Sequence, residues 1–121
     1  MILGIGTDIV KLQRLRDISE THGDRFINRV LSRAEMGILP EKKRNEFLAG
    51  RFAAKEALIK ALGSKNISLS DIEILNDESG RPHVSNIDDL LKKSGIDAAR
   101  IHVSISHETD YAVGMAVLEK D

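Results

Sequence analysis

Apolar residues in this chain recur with two different periods. Between residues 47 and 62 the period is helical: Leu48, Phe52, Ile59 and Leu62 share one sector of the projection, and Phe47, Ala54, Leu58 and Ala61 fill the adjoining one. No plain polar face is left, which predicts a long and largely buried helix, closed by Gly63. Val10, Leu15 and Ile18 mark a helix over residues 10–18, with Lys11, Arg14 and Arg16 interleaved. Residues 24–31 predict a second, with Phe26, Ile27, Val30 and Leu31 inward and Arg25 and Arg29 together on one side. Ser32-Arg-Ala-Glu35 has the form of a capping box and opens a third short helix, ended before Pro40. Residues 41–45 read as a polar loop.

The second period is two. Residues 2–8 predict a strand, with glycines at 4 and 6 where another backbone can come close. Residues 71–75 and 83–85 predict strands around a turn at 76–82, and Asn86 is a candidate cap for a helix over 87–93 that Gly95 ends. Residues 101–106 and 111–118 predict a hairpin whose loop is His107-Glu-Thr-Asp110. There is no internal repeat. Helices interspersed with strands, with a C-terminal antiparallel hairpin, indicate an α+β fold in one domain over residues 1–121.

Composition narrows the picture. Aromatics make up 3% of the 121 residues and there is no Trp, so the core is built from Leu, Ile, Val and Ala. The absence of cysteine excludes disulfides, thiolate zinc sites and a cysteine nucleophile, and suits a reducing cytoplasm. The N-terminal run reaches Asp8 without a basic segment or a long apolar stretch, so neither a signal peptide nor a membrane span is expected. Net charge is −1 but unevenly spread: residues 1–65 carry 13 Lys+Arg against 8 Asp+Glu (+5), and residues 66–121 carry 5 against 11 (−6). A basic half suggests an anionic partner.

The long helix carries Arg51, Lys55, Glu56 and Lys60 on an otherwise apolar surface. Buried charges are costly unless paired or metal-bound. Glu56 and Lys60 lie four apart on one face, as do Arg51 and Lys55, so both stabilising pairs and a functional site are open. Asp8 is expected where the first strand ends, either capping the next helix or joining Glu56 as a hard oxygen ligand for Mg²⁺. Lys60 would then steady a phosphate leaving group. His22, His83 and His102 read as surface residues, and His107, beside Ser104 and Ser106, as a possible phosphate contact. A Mg²⁺-dependent nuclease or phosphohydrolase, and a non-catalytic module that binds through the basic half, fit the same residues.

Three blocks carry a family resemblance: Gly4-Ile-Gly-Thr-Asp-Ile-Val10 with Arg14, the run from Phe47 to Gly63 with Arg51-Phe-Ala-Ala-Lys-Glu-Ala at its centre, and Val103-Ser-Ile-Ser-His107. Together they resemble the holo-(acyl-carrier-protein) synthases, the short single-domain type of phosphopantetheinyl transferase. The likeness covers nearly the whole chain in the family's motif order. It implies Mg²⁺-dependent transfer of phosphopantetheine from coenzyme A to a serine of apo acyl carrier protein. Adenosine bisphosphate would be released, and fatty-acid biosynthesis served. By motif position it implies Asp8 and Glu56 as metal ligands, Lys60 at the leaving phosphate, and Arg51 and His107 on nucleotide phosphates. Arg14, Arg25, Arg29 and Phe26 would dock the carrier protein. Lys65 becomes a candidate charge for coenzyme A, because residues 63–69 lack the further glycines common in the family. What removes the serine proton stays open between Glu35 and a metal-bound water. The resemblance also implies a cytoplasmic homotrimer with active sites between subunits and no nucleic-acid or membrane partner. The apolar strands at 101–105 and 111–118 are candidates for its central interface.

Overall fold

The computed structural model describes residues 1–121. Its main sheet has three antiparallel strands: β1 (Ile2–Lys11), β4 (Arg100–His107) and β5 (Tyr111–Glu119), with β5 in the middle. Between β1 and β4 come α1 (Leu12–His22), α2 (Asp24–Val30), α3 (Arg33–Met36), the long α4 (Arg44–Leu62), a small sheet of β2 (Ile74–Asn76) and β3 (Pro82–Val84), and α5 (Ile87–Lys93). The α+β reading therefore stands. No helix is long and apolar enough to cross a membrane.

Strand alternation decides what faces what. Along β5, Ala112, Gly114, Ala116 and Leu118 are buried, while Tyr111, Val113 and Met115 are exposed. The buried side is covered by α4, and the fit is a close one. A Cβ on Gly6 would lie 1.9 Å from the Ala57 carbonyl oxygen, and one on Gly114 would lie 2.3 Å from the Ala54 nitrogen. Backbone packs on backbone here, so larger residues cannot replace these two glycines without moving the helix. The close approach expected at Gly4 and Gly6 is present, and Gly63 closes α4 with φ 65° as a left-handed cap.

α4 contributes to all three parts of the core. Leu58 and Leu62 pack with Ile72, Ile74, Leu90 and Leu118. Ala49 and Ala53 meet Val10, Leu12 and Leu15, and Leu48 meets Ile27, Val30 and Leu31. The expectation that this helix is mostly buried therefore holds, with Phe52 and Ile59 half-buried at its margins.

Three local expectations are corrected. The first strand does not end at Asp8. Register with the nine-residue β5 carries β1 on to Lys11, Asp8 pairs with Gly114, and Leu12 N–H bonds the Asp110 carbonyl at 2.9 Å. Asp8 therefore cannot cap α1, whose N-cap is Lys11 without a side-chain bond. The strand expected over 71–75 begins only at Ile74, because Leu69–Asp71 forms a 3₁₀ turn with Ser68 and Asp71 as its capping box. Asn86 stands at the N-cap of α5, but its side chain makes no capping bond. Its amide accepts from Glu73 N–H at 3.1 Å and donates to the Asp71 carbonyl at 2.7 Å, fastening those two segments together.

The Ser32–Glu35 capping box forms as expected, and Glu35 does more than cap. Its Oε1 accepts from Ser32 N–H at 2.7 Å and from Lys55 Nζ at 2.5 Å, and its Oε2 accepts from Ile74 N–H at 3.0 Å. Lys55 also donates to the Val30 carbonyl at 2.6 Å, and both side chains are fully buried. Burial pushes the Lys55 ammonium below its ordinary range, and the Glu35 charge pulls it back up.

The helix–sheet contact yields a stability prediction. Gly6→Ala or Gly114→Ala should cost on the order of 3 kcal/mol in urea unfolding, because the clash is with backbone that cannot rotate away. Gly63→Asn should be nearly neutral, since nothing lies within 4 Å of a Cβ there and asparagine tolerates the left-handed region. Equal effects at the three positions would show that close packing is not what these glycines provide.

Candidate active site

Because Gly6 admits the Ala57 carbonyl, the next turn of α4 lies against β1. Lys60 Nζ donates to the Thr7 carbonyl at 2.9 Å and approaches Asp8 Oδ1 at 3.4 Å. Lys60 thus turns to β1 rather than pairing with Glu56. Lys55, likewise, turns to Glu35. Asp8 is on the helix-facing side of β1 and its side chain is 21% exposed, while that of Lys60 is 55% exposed. Glu56, one turn before Lys60, is half-buried and enters no ion pair. No group of three or more His, Cys, Asp or Glu side chains converges anywhere. The carboxylates that β1 and α4 carry here are Asp8, touched only by Lys60, and Glu56, which enters no ion pair. Two carboxylates with room for water and phosphate oxygens suit Mg²⁺, which does not need an all-protein cage. Zinc would want a fuller set of nitrogen or sulfur ligands.

Two turns and more back along α4, Arg51 lines a cleft of about 470 Å³ that it shares with Lys42, Lys43, Asn76 and His107. Arg51 is 6% exposed. Its guanidinium stacks 4.4 Å above the Phe47 ring and donates to Asn76 Oδ1 at 3.1 Å, but its Nε has no partner. Burial lowers its pKa and Glu35 raises it. Lys42, Lys43 and Arg51 outnumber the one carboxylate on the lining, Glu46, so the cleft is suited to an anion. The cleft rim at Asn76, Gly80 and Pro82 is set by the turn at 77–81. There the Ser79 hydroxyl and the Arg81 N–H hold the Asp77 carboxyl below its usual range.

Sequence reasoning placed Arg51 and His107 together, and the structure puts both on this cleft. It differs on the serines beside His107. Strand parity puts Ser104 and Ser106 on the opposite face of β4, and His107 is the last residue of that strand rather than part of the loop. Lys42 and Lys43 were missed. Their signal was three consecutive cations at the start of α4, with Lys43 taking φ 57° at its N-cap. Lys65 is exposed beyond Gly63 and does not line the cleft. Glu35 is excluded as a base for a substrate, being fully buried with both oxygens committed.

Arg25, Phe26 and Arg29 line a separate pocket of about 340 Å³ with Ile18 and His22, between α1 and α2. Arg14 is exposed on α1 outside that lining. None of the three arginines is used internally: Asp24 pairs with Arg44 at 4.0 Å, and Asp17 accepts from Gln13 at 2.9 Å. His83 is exposed, and His102 is on the outer face of the sheet, 3.1 Å from Glu119.

Comparison with known proteins follows the same lines. A model of the 4'-phosphopantetheinyl transferase superfamily matches residues 4–116. The holo-[acyl-carrier-protein] synthase of Geobacillus sp. is 45% identical, with 99% of this chain and 98% of the relative covered. That of Halothermothrix orenii is 46% identical, with 99% of each covered. Among solved structures, the holo-[acyl-carrier-protein] synthase of Neisseria meningitidis aligns with a TM-score of 0.87 at 37% identity, covering 99% of this chain and 100% of that one. The Bacillus anthracis enzyme, in complex with CoA (3',5'-ADP), aligns with a TM-score of 0.81 at 38% identity, covering 100% and 99%. With its glycine-spaced first strand, its Arg51–Lys60 helix and its full-length likeness to these enzymes, the chain belongs to the holo-[acyl-carrier-protein] synthases of the 4'-phosphopantetheinyl transferase superfamily.

Proposed function

We propose that this chain moves phosphopantetheine from coenzyme A to a serine of apo acyl carrier protein. The reaction needs Mg²⁺, releases adenosine bisphosphate and serves fatty-acid biosynthesis. The observation that carries this is the layout of α4. Arg51 opens on a basic cleft at one end, and Lys60 meets Asp8 nine residues on, about 13 Å along the axis, with Glu56 one turn before it. That span suits a nucleotide diphosphate, with the adenosine phosphates in the cleft and the pyrophosphate at the carboxylates. A coenzyme A complex of the Helicobacter pylori enzyme, 30% identical with a TM-score of 0.82, supports the ligand class.

Asp8 and Glu56 would hold the Mg²⁺, which supplies charge neutralisation at the pyrophosphate. The chain's own groups do the rest. Arg51, Lys42, Lys43 and His107 bind and orient the nucleotide phosphates. Lys60, fixed by the Thr7 carbonyl, meets the negative charge that grows on the departing phosphate. Lys65 is at most a peripheral charge for coenzyme A. Arg14, Arg25, Arg29 and Phe26 receive the acidic carrier protein through an apolar pocket with unpaired cations around it.

The sheet's outer face supports assembly. Ile5 and Ile9 of β1 are 67% and 62% exposed beside Val113 and Met115 of β5 at 38% and 45%. A continuous apolar face of this kind calls for a partner. In this reading three copies cover it and complete active sites between neighbours. The interface thus draws on β1 and β5 more than on β4, whose outer residues include His102, Ser104 and Ser106.

Incubation of apo carrier protein with this chain, coenzyme A and Mg²⁺ should give a phosphopantetheine adduct by mass spectrometry. No adduct would overturn the reading, whereas cleavage of plain DNA without coenzyme A would favour a nuclease. Glu56→Gln and Asp8→Asn should each lower turnover by about a hundredfold or more at limiting Mg²⁺ with the fold intact; near-normal rates would remove them as ligands. Reversing Arg14 and Arg25 to Glu should raise KM for the carrier protein about tenfold or more, with KM for coenzyme A steady, and added salt should narrow the gap. Sedimentation should return a trimer, and an active monomer at micromolar concentration would contradict the assembly.

A further inference from the structure

The proposed chemistry leaves one conspicuous group of residues unused. Lys55 and Glu35 are fully buried, and between them they join four elements. Lys55 projects from α4 one residue before Glu56. Its ammonium holds Glu35 at the start of α3 and, at 2.6 Å, the Val30 carbonyl at the end of α2. Glu35 in turn holds Ile74 N–H of β2. Val30 is the residue after Arg29, on the helix whose Arg25, Phe26 and Arg29 line the apolar pocket. A helix of seven residues ends in carbonyls without intrahelical partners, and a cation placed there satisfies one of them and meets the negative end of the helix dipole.

A buried ion pair is not needed for stability as such, since apolar side chains of similar volume often do as well. What it supplies is a directional tie. Apolar contacts between α2 and α4, such as Val30 and Ile27 against Leu48, tolerate sliding. A hydrogen bond to one named carbonyl does not.

We propose that Lys55 is a positioning residue that fixes the carrier-protein docking helix α2 relative to Glu56 and Lys60, so that a serine delivered at α2 meets the phosphate held at α4. The proposal rests on the functional reading above, and the measurements separate the two. If wild-type protein forms no phosphopantetheine adduct, that reading fails. If it does, the variants decide this one.

Lys55→Met removes the tie to Val30. Lys55→Met with Glu35→Gln removes it without leaving a buried carboxylate unpaired. At 15 °C, normalised to folded protein, whichever variant folds should show kcat/KM for the carrier protein reduced about tenfold or more. KM for coenzyme A should stay within about twofold. Carrier-protein affinity measured by calorimetry without coenzyme A or Mg²⁺ should fall in parallel. Lys55→Arg, which can donate to both Glu35 and Val30, should recover most of the loss. A purely structural role predicts a lower melting temperature with both KM values unchanged per folded molecule, and that result overturns the proposal. So does an equal loss for both substrates, or failure of both Met variants to fold, since the pair would then serve the fold as a whole.

Discussion

The closeness of α4 to the sheet is the constraint on which the rest of the structure depends. Gly6 and Gly114, with Ala53, Ala54 and Ala57 opposite, let helix backbone rest on strand backbone. At ordinary helix–sheet spacing, with large side chains between, the ammonium of Lys60 could not bond the Thr7 carbonyl, and Asp8 would face apolar side chains. Small residues at this contact forgo some apolar burial, and α4 compensates at its flanks, where Leu48, Leu58 and Leu62 enter separate parts of the core. Close packing and site geometry are therefore one design feature.

The two groups of charged residues on α4 illustrate different solutions to burial. Lys55 is wholly inside and meets a carboxylate and a carbonyl, so its charge is answered within the protein. Arg51 is nearly as buried, yet it keeps an Nε without a partner beside a basic cleft. Glu56 and Lys60 sit nearer solvent, and Glu56 makes no ion pair. Charges that are satisfied internally organise the fold. Glu56, which makes no ion pair, is the charge that the proposed metal would answer.

Much of this was legible from the residues. Ser32 and Glu35 announce a capping box in four letters, the glycines at 4 and 6 mark a close approach, and alternation along 111–118 separates a buried face from an exposed one. What could not be read depends on partners distant in sequence. Asp8 lies within a strand only because β5 is long enough to pair it with Gly114. Lys55 meets Glu35 from twenty residues away, so helical spacing pointed to neighbours on its own helix instead. Asn86 looks like a cap and serves as a clasp, because Asp71 and Glu73 offer its amide better partners. The face shared by Ser104 and Ser106 but not by His107 was available from parity alone. The cations at 42 and 43 needed the turn at 77–81 folded opposite them before they became part of a cleft.

The order of strands has a consequence for how the chain folds as it is made. β5 is the centre of the sheet and follows both of its strand partners in the sequence, with Gly6 paired to Ala116 and Ser104 to Met115. β1 and β4 are not hydrogen-bonded to each other, so neither has a strand partner in the main sheet until β5 emerges. Until then the α4 backbone at Ala53 and Ala54, on which Gly114 rests, also lacks its strand cover. The helices can form early from local contacts, whereas the sheet must wait for pairings that span almost the whole chain. A nascent chain halted before residue 111 would hold a helical cluster with an open apolar face and an unpaired first strand. Such a species is prone to association, so cellular quality control has most to guard in the interval before β5 pairs.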